Sequence, residues 1–158
     1  MSTSKRKQAL IDHLDSVFYG KAWHGAALLP TIEKFALAPA AIENEEGFSA
    51  WKITLHCAFW KFDVARWITR GKKPTFDRKP RDFPRLPDEI TEETWKADKS
   101  FLIEEHRKLR RAVLALPDKL LDETPPKGAY TYEGYILGAA SHDVYHAAHI
   151  RNLGVLSF

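Results

Sequence analysis

No segment of this chain alternates apolar and polar residues for long enough to build a sheet, which points to an all-helical fold. Apolar residues recur instead at helical spacing, in segments bounded by glycine and proline. Leu10, Leu14, Val17 and Phe18 mark a helical segment over residues 5–19 that stops at Gly20. A second runs from about Trp23 to Leu37; Pro30 lies inside it, so the helix either kinks there or begins later. Pro39 closes that segment, and residues 41–47 read as a polar connection. The third is the strongest, with Ser49 as N-cap, Ala50 to Arg70 as helix and Gly71 as stop. Its inner stripe reads Lys52, Ile53, His56, Phe59, Trp60, Asp63 and Trp67. Thr91 caps the next, with Glu92, Glu93 and Thr94 in the first turn, and Leu102, His106, Leu109, Val113 and Leu116 form its apolar face up to Pro117. The last runs from Tyr130 to Leu156 without a proline. Pro74, Pro80, Pro84 and Pro87 make residues 72–88 a long surface loop, and Pro125-Pro126 sit in a second loop over residues 118–129. No repeat or domain boundary interrupts the pattern. The expected fold is one domain over residues 1–158, a four-helix bundle with an extra N-terminal helical segment.

Composition narrows the function classes. The chain is 44% hydrophobic and 28% charged, as a folded globular protein is, and no run approaches the length of a membrane span. Met1 to Lys7 is charged and leads into Ala9-Leu10-Ile11-Asp12-His13, so no signal-peptide core follows. The one cysteine, Cys57, rules out an intramolecular disulfide and fits a reducing cytoplasm. A net charge of +3 is too small to argue for nucleic acid. The basic run from Gly71 to Arg85 is interrupted by Asp77 and Asp82 and rich in proline, so it reads as a solvated loop rather than a phosphate-binding patch.

The chemistry concentrates in Ser141-His142-Asp143-Val144-Tyr145-His146-Ala147-Ala148-His149-Ile150. At 100° per residue His146 lies about 40° round the helix from His142, and His149 about 20° on the other side. Histidines four apart on an inward face can grip a transition metal, and a third ligand must then come from elsewhere. His56 is the best candidate, since it lies mid-helix on an inward stripe. Helices packed roughly 8–10 Å apart let facing imidazoles meet on one ion. Three neutral imidazoles leave the ion its charge and an open position for water or substrate. A free histidine titrates near ~6.5, so affinity should fall below that pH. Cys57 points about 100° away from His56. Asp63 lies about 10 Å along the axis, too far for the same ion, and suits the pocket wall. His149 stands about 10.5 Å along the axis from His142 and is expected at the pocket margin or in a hydrogen bond to a neighbouring group, not on the ion. His13, His24, His106 and the tryptophans default to structural roles, and no catalytic or cofactor-binding residue can be assigned. A zincin helix needs glutamate where Asp143 stands, and a di-iron bundle needs two Glu-x-x-His motifs, which are absent.

The final helix, from Gly134 to His146, resembles the closing motif of the DinB/YfiT-like superfamily, where a His-Asp-x-Tyr-His-x-Gly-Gln-Ile run is usual. Residues 48–60, with His56, resemble that family's other histidine helix. Trp23-His24-Gly25, Asp82-Phe83-Pro84-Arg85-Leu86-Pro87 and Trp95 are similar to one branch of it. The chain departs from the pattern at Ala148 and His149, where Gly-Gln is usual. The resemblance implies a bundle in up-down-down-up order and a divalent metal, zinc or nickel, on His56, His142 and His146. It also implies a homodimer and a small-molecule substrate; charge and hydropathy, as above, leave neither nucleic acid nor membrane as an expected partner. Some relatives transfer low-molecular-weight thiols or isomerise thiol adducts, so thiol transfer with such a thiol as co-substrate is the leading expectation. A metal-dependent hydrolase and a non-catalytic metal-binding stress-response module remain the alternatives.

Overall fold

The computed structural model describes residues 3–69 and 74–153. Every regular element among them is helical: α1 (Lys5–Tyr19), α2 (Leu28–Glu33), α3 (Leu37–Ala41), α4 (Ala50–Ile68), α5 (Glu92–Ala115), a 3₁₀ turn (Asp118–Leu120) and α6 (Tyr132–Arg151). The four long helices begin alike. Ser4, Ser49, Thr91 and Thr131 each accept a hydrogen bond on the side-chain oxygen from a backbone N–H of the first turn, which removes an otherwise unpaired donor. Such a cap contributes about 1 kcal/mol. Gly20 ends α1 at φ 126°, a conformation that side-chain-bearing residues rarely adopt.

The second segment begins later than Trp23, as Pro30 allows, and ends before Leu37. Its helix begins at Leu28, with Pro30 as third residue, and the chain breaks before a separate α3 in which Pro39 is again third. Pro39 therefore opens a helix instead of closing one. A third residue has no intrahelical acceptor for its N–H, so proline there costs no hydrogen bond. α4 ends at Ile68 because Thr69 turns extended (φ −74°, ψ 131°), two residues before the expected Arg70. α6 stops at Arg151, with Asn152 as its C-cap. The Gly71 stop and Leu156 lie outside the described residues.

Helix α4 is central. It packs along both α5 and α6 and also meets α3, while α1 packs on α6 and α5. Of its 19 residues only Trp60 is exposed, as expected of a helix apolar nearly all round. At one end Trp51 and Trp95 pack together with ring centroids 4.9 Å apart. Both indole N–H groups are satisfied, Trp51 donating to Asp98 at 2.7 Å and Trp95 to the Phe35 carbonyl at 3.2 Å. At the other end Ile11, Leu14, Leu109, Val113, Ile136 and Ala140 are buried together. Trp23, by contrast, is 98% exposed, so a structural role in the core fails for that tryptophan. No described helix is long and apolar enough to cross a membrane.

His106 illustrates how burial sets a charge state. It is 1% exposed, stacks on Phe18 at 3.9 Å and donates from Nε2 to Asp15 at 3.0 Å, which leaves Nδ1 as an unpartnered lone pair. Burial, and next the nearby Lys61 ammonium, push its pKa down to about 3 despite Asp15. An unfolded chain takes up this proton near ~6.5. Stability is therefore present above that pH and is lost on acidification toward the folded value. For His106 alone the loss by about pH 4 is on the order of 3 kcal/mol. Urea unfolding of wild type and His106→Gln across this window should show the variant with the shallower fall. Parallel curves would contradict it.

Candidate metal centre

Helix α4 carries His56 and α6 carries His142 and His146, and the packing of these helices brings one ring nitrogen of each within 4.8 Å of the others. Among the described residues this is the one such cluster of potential ligands. His56 and His146 are buried and His142 half-buried. Nε2 of His142 stands 3.2 Å from Nε2 of His56. Two imidazoles bound at about 2.0–2.1 Å to one tetrahedral ion would hold their nitrogens roughly 3.3 Å apart, so the spacing fits. Nδ1 of His146 is buried without a hydrogen-bond partner.

The loop between α4 and α5 fixes the orientation of His56. Its Nδ1 lies 2.8 Å from the Asp82 carbonyl oxygen, which can only accept, so Nδ1 carries the proton and Nε2 presents its lone pair to the cluster. The Asp82 carboxylate stands 3.2 Å from the same Nδ1 and accepts from the Trp60 indole at 2.8 Å. Phe83 stacks on the imidazole, centroids 4.0 Å apart and nearly parallel. The loop itself is anchored by Arg78, which donates to buried Asp98 on α5 at 2.5 Å, and by Phe76, packed with Phe59 and Phe62. Lys79, Arg81 and Arg85 are exposed as a solvated loop requires, but Phe76 and Pro84 are buried. One face of the loop thus belongs to the protein interior.

Burial keeps these imidazoles neutral. It lowers His56, with Asp82 pulling part of the way back. His142 and His146 are brought down to about 3, first by burial and then by neighbouring imidazoles. Neutral nitrogen is the form that binds a metal.

A buried ion pair joins the same two helices, beginning with the residue after His142. Lys61 on α4, 2% exposed, donates to Asp143 on α6, 0% exposed, at 2.5 Å. Burial raises the Asp143 carboxyl while Lys61 holds it toward the ionised form. Cys57 is buried nearby and its thiol is pushed well up, so it is a protonated core residue and not a nucleophile. The other sequence candidates separate. His149 lies outside the cluster, its ring 5.7 Å from that of His146 and 5.3 Å from Phe48, as a margin residue would. Asp63 accepts from Trp67 at 3.2 Å and takes no part in the cluster, while His13 and His24 are exposed. Asp82 and Phe83 were not foreseen as contacts of His56; they sit 26 and 27 residues beyond it, and the signal available was an apolar residue inside a proline-braced loop.

In comparisons with known proteins, the chain matches no family model, no curated protein and no solved structure.

Breaking the buried pair should be costly. Lys61→Met leaves Asp143 without its counter-charge, for an expected loss of about 3–5 kcal/mol in denaturant unfolding. Lys61→Met with Asp143→Leu should recover most of it. A double variant no better than the single one would show that the pair is not the cause.

Proposed function

We propose that His56, His142 and His146 hold one divalent cation, zinc or nickel, and that the chain is a metal-dependent enzyme whose reaction is transfer of a low-molecular-weight thiol. The observation that carries this reading is the 3.2 Å approach of two imidazole nitrogens, one of them fixed as a lone pair by the Asp82 carbonyl. When bound, such a cation would lower the pKa of a thiol or of water and so supply an anion near neutral pH. The residues of the chain do the rest. Asp82 sets the His56 tautomer, Phe83 and Trp60 flank the imidazoles, and Lys61 with Asp143 holds the two histidine helices together. A hydrolase would use the same ion on water. A metal-holding module without catalysis would need the same ligands, but a cavity of about 310 Å³ beside His142 favours an enzyme acting on a small molecule.

The likeness of the two histidine helices to the DinB/YfiT-like superfamily supports the same reading. It extends to α1, α4, α5 and α6 as a four-helix bundle in up-down-down-up order, a single domain, a homodimer and a cytoplasmic setting. The mutual packing of those four helices is compatible with it.

Purified protein is expected to carry about one divalent ion per chain. His56→Ala, His142→Ala and His146→Ala should each lose it, and Cys57→Ser and His149→Gln should keep it, by elemental analysis. Unchanged occupancy in the three alanine variants would sink the assignment. Because burial holds the imidazoles neutral in the folded chain, occupancy should persist at about pH 5.5 and fall only at lower pH, below the ~6.5 of a free histidine. Loss already near ~6.5 would mean that the histidines are more solvated than here.

A further inference from the structure

Half-buried His142 lines a cavity of about 310 Å³, at the small end of ligand pockets, which run roughly 300–1,000 Å³. Its walls are Trp60 and Val64 from α4, and Tyr130, Tyr135 and Gly138 from the α6 side. The aromatic walls are already positioned. Tyr135 stacks on Trp67 with centroids 5.5 Å apart and planes 9° from parallel, and its hydroxyl accepts from the Ala129 N–H at 3.2 Å. Tyr130 meets Tyr135 edge-on at 5.6 Å, and the Trp60 ring stands 5.9 Å from that of His142. Gly138 stands one turn before His142, and a Cβ built on it would meet nothing within 4 Å, so the helix backbone is open to a ligand there. Among the described residues no Asp, Glu, Lys or Arg lines the cavity. An anion finds no cationic side chain here and a cation no carboxylate, whereas a neutral ring has little hydration to lose and gains stacking and edge contacts on three aromatic walls.

We infer that this cavity binds a neutral aromatic group, about the size of a substituted benzene, on a substrate whose reacting atom lies at His142. The inference rests on the histidine cluster as reacting centre for the orientation of the substrate, while the cavity is defined independently of any metal. It makes Gly138 the residue that sets the size of the accepted group.

Two probes separate the halves. With zinc-loaded protein, calorimetry should show phenylmethanethiol binding at least about tenfold more tightly than 2-sulfanylethanol. Gly138→Leu should abolish that preference with zinc content unchanged, and Gly138→Ala should reduce it. With metal-free protein, phenylmethanol should shift the Gly134 and Gly138 amide resonances saturably, and Gly138→Leu should remove the effect. No shift in folded wild type overturns the cavity assignment whatever the metal result. Equal affinity for the two thiols also overturns it, because the ring would then not share a site with the reacting atom. Protein that takes up no zinc yet still shows the phenylmethanol shifts, lost in Gly138→Leu, overturns the metal reading and leaves the aromatic site in place.

Discussion

The Lys61–Asp143 pair is the interaction on which the arrangement of this molecule turns. Two charges this deeply buried are tolerated only in contact with each other, so α4 and α6 cannot slide or rotate independently without stranding one of them. His56 stands five residues before Lys61, and His142 directly precedes Asp143. The registry that satisfies the charges therefore also sets where the imidazoles meet. A purely apolar seam would hold the helices together as firmly but would tolerate more alternative registers.

The loop after α4 supplies what the helices cannot. Helix packing brings imidazoles near one another, but it does not decide which nitrogen carries the proton. Asp82 decides that for His56, and Phe83 covers the ring face. Because the loop is tied to α5 through Arg78 and Asp98, the site depends on three elements, of which only two carry histidines. The same loop leaves Trp60 partly open, and Trp60 also forms a wall of the cavity beside His142. The indole held by the Asp82 carboxylate thus stands at the way into the cluster, while the Asp82 carbonyl orients His56.

Much of the helical framework was legible because capping and termination are local chemistry. Ser49 and Thr91 with its Thr94 partner announce α4 and α5, and Gly20 ends α1 where the apolar spacing stops. The meeting of His56 with His142 and His146 was legible from helical periodicity together with the rule that inward stripes face one another. Pro30 signalled a helix that begins later than Trp23, as it does at Leu28, whereas Pro39 misled because a proline reads as a terminator, while its place within the first turn is set by where the chain enters the helix. Lys61 escaped notice because a lysine in an apolar helix suggests a solvent-facing position, and its partner is 82 residues away. Trp23 was assigned by residue type alone, and nothing local signals that its loop carries it into solvent.

The acceptor for His56 Nδ1 is a main-chain carbonyl. A substitution at position 82 can delete the carboxylate and its bond to Trp60, yet the carbonyl stays with whatever residue replaces it. The tautomer is thus written into the path of the backbone and not into the identity of any one side chain. Pro80 and Pro84, two residues to either side of Asp82, each fix one backbone dihedral of that path. As far as the tautomer goes position 82 can vary, while its carboxylate is needed for the contacts with Nδ1 and with Trp60.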